Sequence, residues 1–406
     1  MEKAIIVGVE TQENYLTFDE SMIELQNLTE TAQGEVVGQL TQKLPVLNKR
    51  TIVGKGKLEE LAALIQSRDA ELIIFNHEVT ARQAGLIEEI VGVKVIDRVQ
   101  LILDIFALRA TSKEGQLQVE LAQLSYMLPR LTGQGTSLSR LGGGIGTRGP
   151  GETKLETDRR HIRNKMTQIK RELKLTEEHR ERNREKRKNA EVFQIGLIGY
   201  TNAGKSTLMN QLTESDTYAM DQLFATLDPL TKKMALPEGL KMTLTDTVGF
   251  IQHLPTQLIE AFQSTLEESK GMDLLLHVVD ASSTNRHQQE ETVLDLLKDL
   301  DMEKMPVLTV YNKIDLLGDE AFYPTLFPNI LVSAQRTEDS EKVEKGIVSM
   351  IKEIYQPYTI ILQAHESYSL NELMQKTLLT TWRFDEEKQN YVVEGFARPD
   401  SKWANH

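Results

Sequence analysis

The chain has 406 residues, 40% of them apolar, and no cysteine, which supports real hydrophobic cores and excludes a disulfide framework and any thiolate metal site. No uninterrupted apolar run is long enough to span a bilayer, and the run Ala4 to Val7 is too short for a secretory leader, so a cytoplasmic protein without an integral membrane segment is expected. The formal net charge of −13 argues against nucleic acid on average, yet residues 148–188 hold 15 Lys and Arg against 8 Asp and Glu, a basic segment on an acidic body.

In chain order, Ala4 to Val9 reads as a strand, Asp19 to Glu30 as a helix and Glu35 to Leu40 as a strand. Helices over Lys57 to Ile65, Thr80 to Ile90 and Val99 to Leu108 then alternate with strands over Leu72 to Phe75 and Val93 to Ile96. Strands alternating with helices predict a parallel sheet covered on both faces, an N-terminal α/β domain over 1–112. Gly54-Lys55-Gly56-Lys57 opens one of these helices. It lacks the second half of any phosphate fingerprint and reads as a plain turn and helix start rather than an anion site.

Residues 113–190 read as a helical hairpin. Glu114 to Leu128 carries Leu117, Leu121, Leu124 and Leu128 at helical spacing, and Pro129 is expected to end it. Leu155, Ile162, Met166, Ile169 and Leu173 make a second stripe. Each helix exposes one apolar seam, and an antiparallel pair buries both. The loop between, Pro129 to Gly151, holds eight of the chain's 25 glycines and no acid, but it includes Arg130, Arg140 and Arg148. A plain spacer gains nothing from excluding acids. The loop therefore reads as a cationic, side-chain-poor finger that approaches a phosphate backbone closely, with Arg140, Gly142, Gly143, Gly144, Gly146 and Arg148 as the RNA-binding candidates. Thr176 to Ala190 is dense in both charges and reads as a solvated helix or linker that marks a domain boundary.

The next region, 191–355, carries the most specific pattern. Gly199-Tyr200-Thr201-Asn202-Ala203-Gly204-Lys205-Ser206-Thr207 follows an apolar strand and precedes a helix, the P-loop arrangement. Gly199 and Gly204 let the backbone curl so that amide N–H groups face phosphate oxygens, Lys205 reaches the β and γ phosphates, and the Ser206 hydroxyl is a Mg²⁺ ligand. Phe224-Ala225-Thr226-Leu227-Asp228 follows, with Thr226 supplying a hydroxyl to Mg²⁺ and its N–H to the γ-phosphate. Asp246-Thr247-Val248-Gly249 ends a strand over Met242 to Thr245; Asp246 holds the Mg²⁺ shell and the Gly249 N–H meets the γ-phosphate. Lys205, Thr226 and Gly249 are thus the expected catalytic groups. After strands over Leu274 to Val279 and Met305 to Tyr311 comes Asn312-Lys313-Ile314-Asp315, the base reader. Asp315 accepts from guanine N1–H and N2–H₂ together, which adenine cannot supply; Lys313 lies along the ring and Asn312 braces the P-loop. Ser333-Ala334-Gln335 follows a strand over Ile330 to Val332, with a backbone N–H for guanine O6. These motifs in this order, each at a strand end, read as a GTPase. Phe250 stands where a water-orienting glutamine is found in Ras-like proteins, and phenylalanine cannot orient water by hydrogen bonding. Either a partner supplies the missing group or another residue of the chain does.

The remaining stretch, 356–406, reads as a small α+β module: a strand over Tyr358 to Leu362, a helix over Leu370 to Thr377, and a hairpin of Leu379 to Phe384 with Tyr391 to Phe396. The fold class is therefore α/β throughout: a parallel N-terminal domain, a helical hairpin, a P-loop G domain with a mixed, mostly parallel sheet, and this C-terminal module.

The glycine-rich loop Leu138 to Glu152, the following Leu155-Glu156-Thr157-Asp158-Arg159-Arg160, the P-loop and Asp246 to Phe250 together resemble the HflX family of translational GTPases across nearly the whole chain. Ser333-Ala334-Gln335-Arg336 departs from the family in lacking a glycine soon after, which leaves the role of Gln335 open. The resemblance implies a monomeric cytoplasmic GTPase that uses Mg²⁺ and binds the large (50S) ribosomal subunit, its hairpin approaching ribosomal RNA near the peptidyl transferase centre. It further implies dissociation of stalled or idle ribosomes, notably under heat stress, with hydrolysis stimulated by the ribosome. ATP hydrolysis, also implied, is not what the guanine-reading motif predicts. A GTP-driven RNA-remodelling or ribosome-assembly factor is the alternative.

Overall fold

The computed structural model describes residues 1–138, 150–189, 192–213, 223–224, 229–237, 239–247, 249–251, 268–318 and 321–404. These form two compact units, the first comprising Met1–Thr176 with Leu223 and Phe224, the second beginning at Glu177.

In the first unit, β1 (Lys3–Glu10), α1 (Phe18–Thr31), β2 (Glu35–Lys43), α2 (Lys55–Arg68), β3 (Leu72–Phe75), α3 (Ala81–Val91), β4 (Lys94–Asp97) and α4 (Arg98–Arg109) alternate as expected. The sheet is wholly parallel, in the order β2-β1-β3-β4. Its central strands β1 and β3 are apolar and buried along nearly their whole length, whereas the edge strand β2 carries Gln39, Thr41 and Gln42; Ile5, Val7, Ile73 and Phe75 join one core with Leu58, Leu61 and Ile65 of α2. On β1 a Cβ at Gly8 would meet the Met22 sulfur at 2.4 Å, so glycine there serves the close packing of α1. Thr80 and Gln83 form a capping box at the start of α3, and Gly92 at φ 79° ends it.

Two long helices follow, α5 (Lys113–Leu138) and α6 (Pro150–Asn189). The ion pairs Lys165–Glu120 and Lys113–Glu172 run in opposite sequence directions, as antiparallel helices require. One expectation is corrected. Pro129 does not end the first helix, which continues to Leu138. A proline inside a helix costs about 3 kcal/mol, so something beyond local propensity must offset it. The offset lies at Asp97, fully buried at the end of β4. The Tyr126 hydroxyl donates to it at 2.6 Å and the Arg130 guanidinium at 2.7 Å, while Arg130 also donates to the Val79 carbonyl and lies 3.3 Å over the Tyr126 ring. These bonds hold the helix on both sides of the proline. Arg130 thus belongs to the helix rather than to the expected loop, and residues 139–149 lie outside the described residues.

In the second unit, β5 (Phe193–Gly199), α7 (Lys205–Thr213), β6 (Leu230–Ala235), β7 (Lys241–Asp246), β8 (Leu274–Asp280), α8 (Arg286–Asp299), β9 (Val307–Asn312), β10 (Asn329–Leu331) and α9 (Ser340–Ile354) build a six-stranded sheet. The order is β10-β9-β8-β5-β7-β6, parallel except for β6, which pairs antiparallel with β7. Ile195, Leu197, Leu244, Leu276 and Val310 share one core with Leu208 of α7 and Ile347 of α9. A three-stranded antiparallel sheet closes the unit: β11 (Gln356–Gln363), α10 (Ser367–Lys376), β12 (Leu378–Asp385) and β13 (Asn390–Ala397), in the order β11-β13-β12. Leu378 enters the larger core, and Arg398 pairs with Asp273 at 2.5 Å just before β8.

Candidate functional site

The site is built at the carboxyl ends of β5, β7, β8 and β9. Gly199 ends β5 at φ 149°, and a Cβ there would sit 2.2 Å from the Val278 carbonyl oxygen of the neighbouring strand. Gly204 takes φ 92°, and a Cβ there would sit 2.2 Å from the Asn312 amide nitrogen. Both glycines of the P-loop pattern are thus demanded by conformation and by space. The intervening Tyr200, Thr201 and Ala203 are buried, Asn202 is exposed in a left-handed conformation at φ 62°, and α7 begins at Lys205 with Ser206 and Thr207 in its first turn.

Lys205 is held by its own loop. Its Nζ donates to the carbonyls of Gly199 at 3.0 Å and Tyr200 at 2.8 Å. Burial pulls its pKa down to about 8, opposed by the charge of Asp246. The Ser206 hydroxyl donates to the Asp246 carboxylate at 2.7 Å, and Asp246 is fully buried. A hydroxyl and a carboxylate set side by side at a helix N-terminus are hard oxygen donors of the kind that Mg²⁺ takes. Thr247, beside Asp246, donates its hydroxyl to the Leu197 carbonyl at 2.6 Å and so fastens this loop to β5.

Gly249 lies close over the loop: a Cβ there would stand 2.9 Å from the Lys205 Nζ. Phe250 then pairs with the P-loop as a bridge, its N–H donating to the Gly199 carbonyl at 3.2 Å and its carbonyl accepting from the Thr201 N–H at 2.7 Å. Its ring is buried among Ile198, Met272, Leu275 and Val293. The expected loop residues Ala225, Thr226, Leu227 and Asp228 lie outside the described residues, as do Val248 and the RNA-binding candidates Arg140, Gly142, Gly143, Gly144, Gly146 and Arg148. Phe224 is described, and its ring packs edge-on against Phe106 of the first unit at 4.6 Å between centroids, with φ 55°.

At the base-reading end, Asn312 ties two loops together. Its amide donates to the Ala203 carbonyl at 2.9 Å, and its side-chain oxygen accepts from the Ala334 N–H at 2.8 Å. The Ala334 amide expected on guanine O6 is therefore engaged by Asn312 in this conformation. Asp315 is exposed in a short 3₁₀ turn, Ile314–Leu316. The Ser333 N–H donates to Asp339 at 2.8 Å, and the Gln335 N–H reaches the Ser333 hydroxyl at 3.3 Å.

Three residues were not anticipated. Asp280 at the end of β8 pairs with Lys313 at 2.8 Å and fixes that side chain, while the Lys313 backbone takes a left-handed φ of 61°. Asp339 positions the Ser333 loop. His277 is buried in β8, in register with Ile198 and Thr309. Burial, and then the nearby Lys205, lower its pKa to about 4, so the imidazole is neutral. An acid closing an apolar strand was the available signal for Asp280; a histidine inside one was the signal for His277.

Three family models match the chain in succession: a GTP-binding GTPase N-terminal region over 19–107, a GTP-binding GTPase middle region over 109–187, and a 50S ribosome-binding GTPase over 194–313. The GTPase HflX of Alkalihalophilus pseudofirmus is 51% identical over 398 residues, 98% of this chain and 94% of that one. The GTPase HflX of Escherichia coli is 44% identical over 321 residues, covering 78% and 74%. A solved GTP-binding protein from the hyperthermophilic archaeon Sulfolobus solfataricus, in complex with GDP, is 25% identical, covers 86% of this chain and 98% of its own, and has a TM-score of 0.45.

Proposed function

The chain belongs to the GTPase HflX family, and from that premise we propose that, loaded with GTP, it binds the large ribosomal subunit, is stimulated there to hydrolyse the nucleotide, and dissociates stalled or idle ribosomes. The match of residues 194–313 to a 50S ribosome-binding GTPase supports the partner. The observation that carries the dependence on that partner is Phe250, whose ring is held in an apolar cluster directly after Gly249. It can neither accept from nor donate to an attacking water. A hydrolysis site without its water-orienting group turns over slowly until another molecule supplies one.

In this reading Lys205 keeps two of its three donors on the loop carbonyls and turns the third to the β and γ phosphates. Ser206 and Asp246, with Thr226, would hold Mg²⁺, which would supply charge neutralisation at the phosphates. The N–H groups of Thr226 and Gly249 meet the γ-phosphate, and the Gly199–Thr207 amides line the α and β phosphates. Asp315 reads guanine, Lys313 is fixed along the ring by Asp280, and guanine O6 competes with Asn312 for the Ala334 N–H. The loop holding Arg140, Gly142, Gly143, Gly144, Gly146 and Arg148 approaches ribosomal RNA near the peptidyl transferase centre. The protein works as a cytoplasmic monomer divided into domains at 1–112, 113–190, 191–355 and 356–406, and it responds to stress. The test is the GTPase rate with and without purified 50S subunits, beside sedimentation of 70S ribosomes. Stimulation by 50S with splitting of 70S is expected. Stimulation without splitting favours an RNA-remodelling or assembly factor, and no stimulation removes the ribosomal reading.

A further inference from the structure

A second crevice lies in the first unit, and the topology of its sheet explains why. The chain leaves β1 to one side for β2, then crosses to the other side for β3. The loops after β1 and β3 therefore part in opposite directions. In open α/β sheets ligands settle at this switch point, outside the carboxyl ends of the strands. Here the gap is a cavity of about 520 Å³. A second cavity of about 450 Å³ adjoins it, sharing Thr11 and Pro45 and adding Tyr15. The combined crevice has the size of a small-molecule site.

Its walls say what it excludes. The β1–α1 loop runs Thr11 to Thr17 without a glycine, so no backbone cradle for phosphate forms there. Glu13 and Glu78 line the cavity and are exposed at it. Arg98 reaches the same cavity, but its charge is committed: it pairs with Glu24 and donates to the Asn76 side chain at 3.2 Å. The lining is therefore net acidic, which disfavours an anion.

Its walls also say what it suits. Asn14 and Asn76 are held rigidly by their neighbours. The Asn14 amide donates to the Val9 carbonyl at 3.1 Å and accepts from the Thr11 N–H at 2.7 Å. The Asn76 amide donates to the Ser21 hydroxyl at 2.8 Å, leaving a second N–H on the same nitrogen for a ligand. Pro45, Val46 and Leu47 line the same cavity, with Val46 72% exposed, and Tyr15 of the adjoining one is 60% exposed. Apolar surface left open beside fixed polar groups is the composition of a binding crevice rather than of a solvated edge.

From this placement we infer that the switch-point crevice of the first unit binds a non-phosphorylated organic cation, an amine on a flat apolar body, its charge met by Glu13 and Glu78 and its body by the Pro45–Leu47 stretch. The site is independent of the guanine nucleotide and does not rest on the ribosomal reading.

The full chain, saturated with GDP to occupy the P-loop, is titrated by calorimetry with tryptamine, with its uncharged counterpart tryptophol, and with AMP. Amide spectra follow Asn14, Leu47 and Asn76. Tryptamine is expected to bind with a Kd of about 0.1–1 mM and to shift those amides. Tryptophol should bind about tenfold more weakly or worse, since it offers the same area without the charge. The double variant Glu13→Gln/Glu78→Gln should weaken tryptamine by a similar factor while GDP affinity stays unchanged. Tighter binding of AMP than of tryptamine, equal binding of tryptophol, an unaffected double variant, or no saturable response to tryptamine would each overturn the assignment.

Discussion

The two units present the same architectural feature with opposite chemistry. Each has a parallel sheet whose strand ends open onto loops, and each places a glycine near the end of a central strand. In the second unit Gly199 lets a loop curl tightly against the Val278 carbonyl, and the loop then encloses a lysine. In the first, Gly8 lets α1 settle onto the sheet, and the loop beyond it ends among acids. The lesson is that a parallel sheet offers a position for a site, while the loop residues decide its charge and hence its ligand.

The largest way to break this contrast is Lys205→Ala. It removes the enclosed cation and should lower GTP turnover by about a thousandfold or more, with the circular dichroism spectrum unchanged. Phosphate release against GTP concentration measures it. Asp315→Asn leaves the phosphate end intact and alters only the base reader; GTP affinity should fall about a hundredfold while xanthosine triphosphate gains, checked by competition against a fluorescent nucleotide.

A change confined to the first unit sharpens the comparison from the other side. Arg130→Ala leaves the buried Asp97 without its cation, although Tyr126 and the amides of Val79 and Gln100 still donate to it. About 2 kcal/mol of stability should be lost in urea denaturation, with GTP affinity untouched. The smallest effect at neutral pH belongs to His277→Leu. Burial and the nearby Lys205 hold the folded-state pKa of His277 at about 4, below the ordinary 6.5. The unfolded chain therefore binds the extra proton, and stability falls as pH drops from 6.5 to 4, by up to about 3 kcal/mol. Removing the imidazole should flatten that part of the stability–pH curve and change little at pH 7.5. Thermal melts across this range check it.

Much of the fold was legible because both sheets are buried on two faces. Strands such as β3 and β8 then appear as apolar runs, broken in β8 only by His277; the expected limits of β3 match, and those of β8 fall one residue short. β6 was missed because it is an edge strand, with Lys232 and Lys233 in place of an apolar run. The continuation of α5 through Pro129 was missed because a local rule forbids it, while contacts to Asp97, distant in sequence, permit it.

Residue type and spacing alone determined the nucleotide class, since glycine, lysine, serine and aspartate at those intervals serve few other purposes. The tertiary structure decided how those groups are occupied: Lys205 on two carbonyls, Lys313 on Asp280, the Ala334 amide on Asn312, and the Phe250 ring turned into the core. It also revealed the acidic crevice, whose walls come from loops tens of residues apart. Such pairings depend on which strands become neighbours, and no local pattern in the chain encodes that.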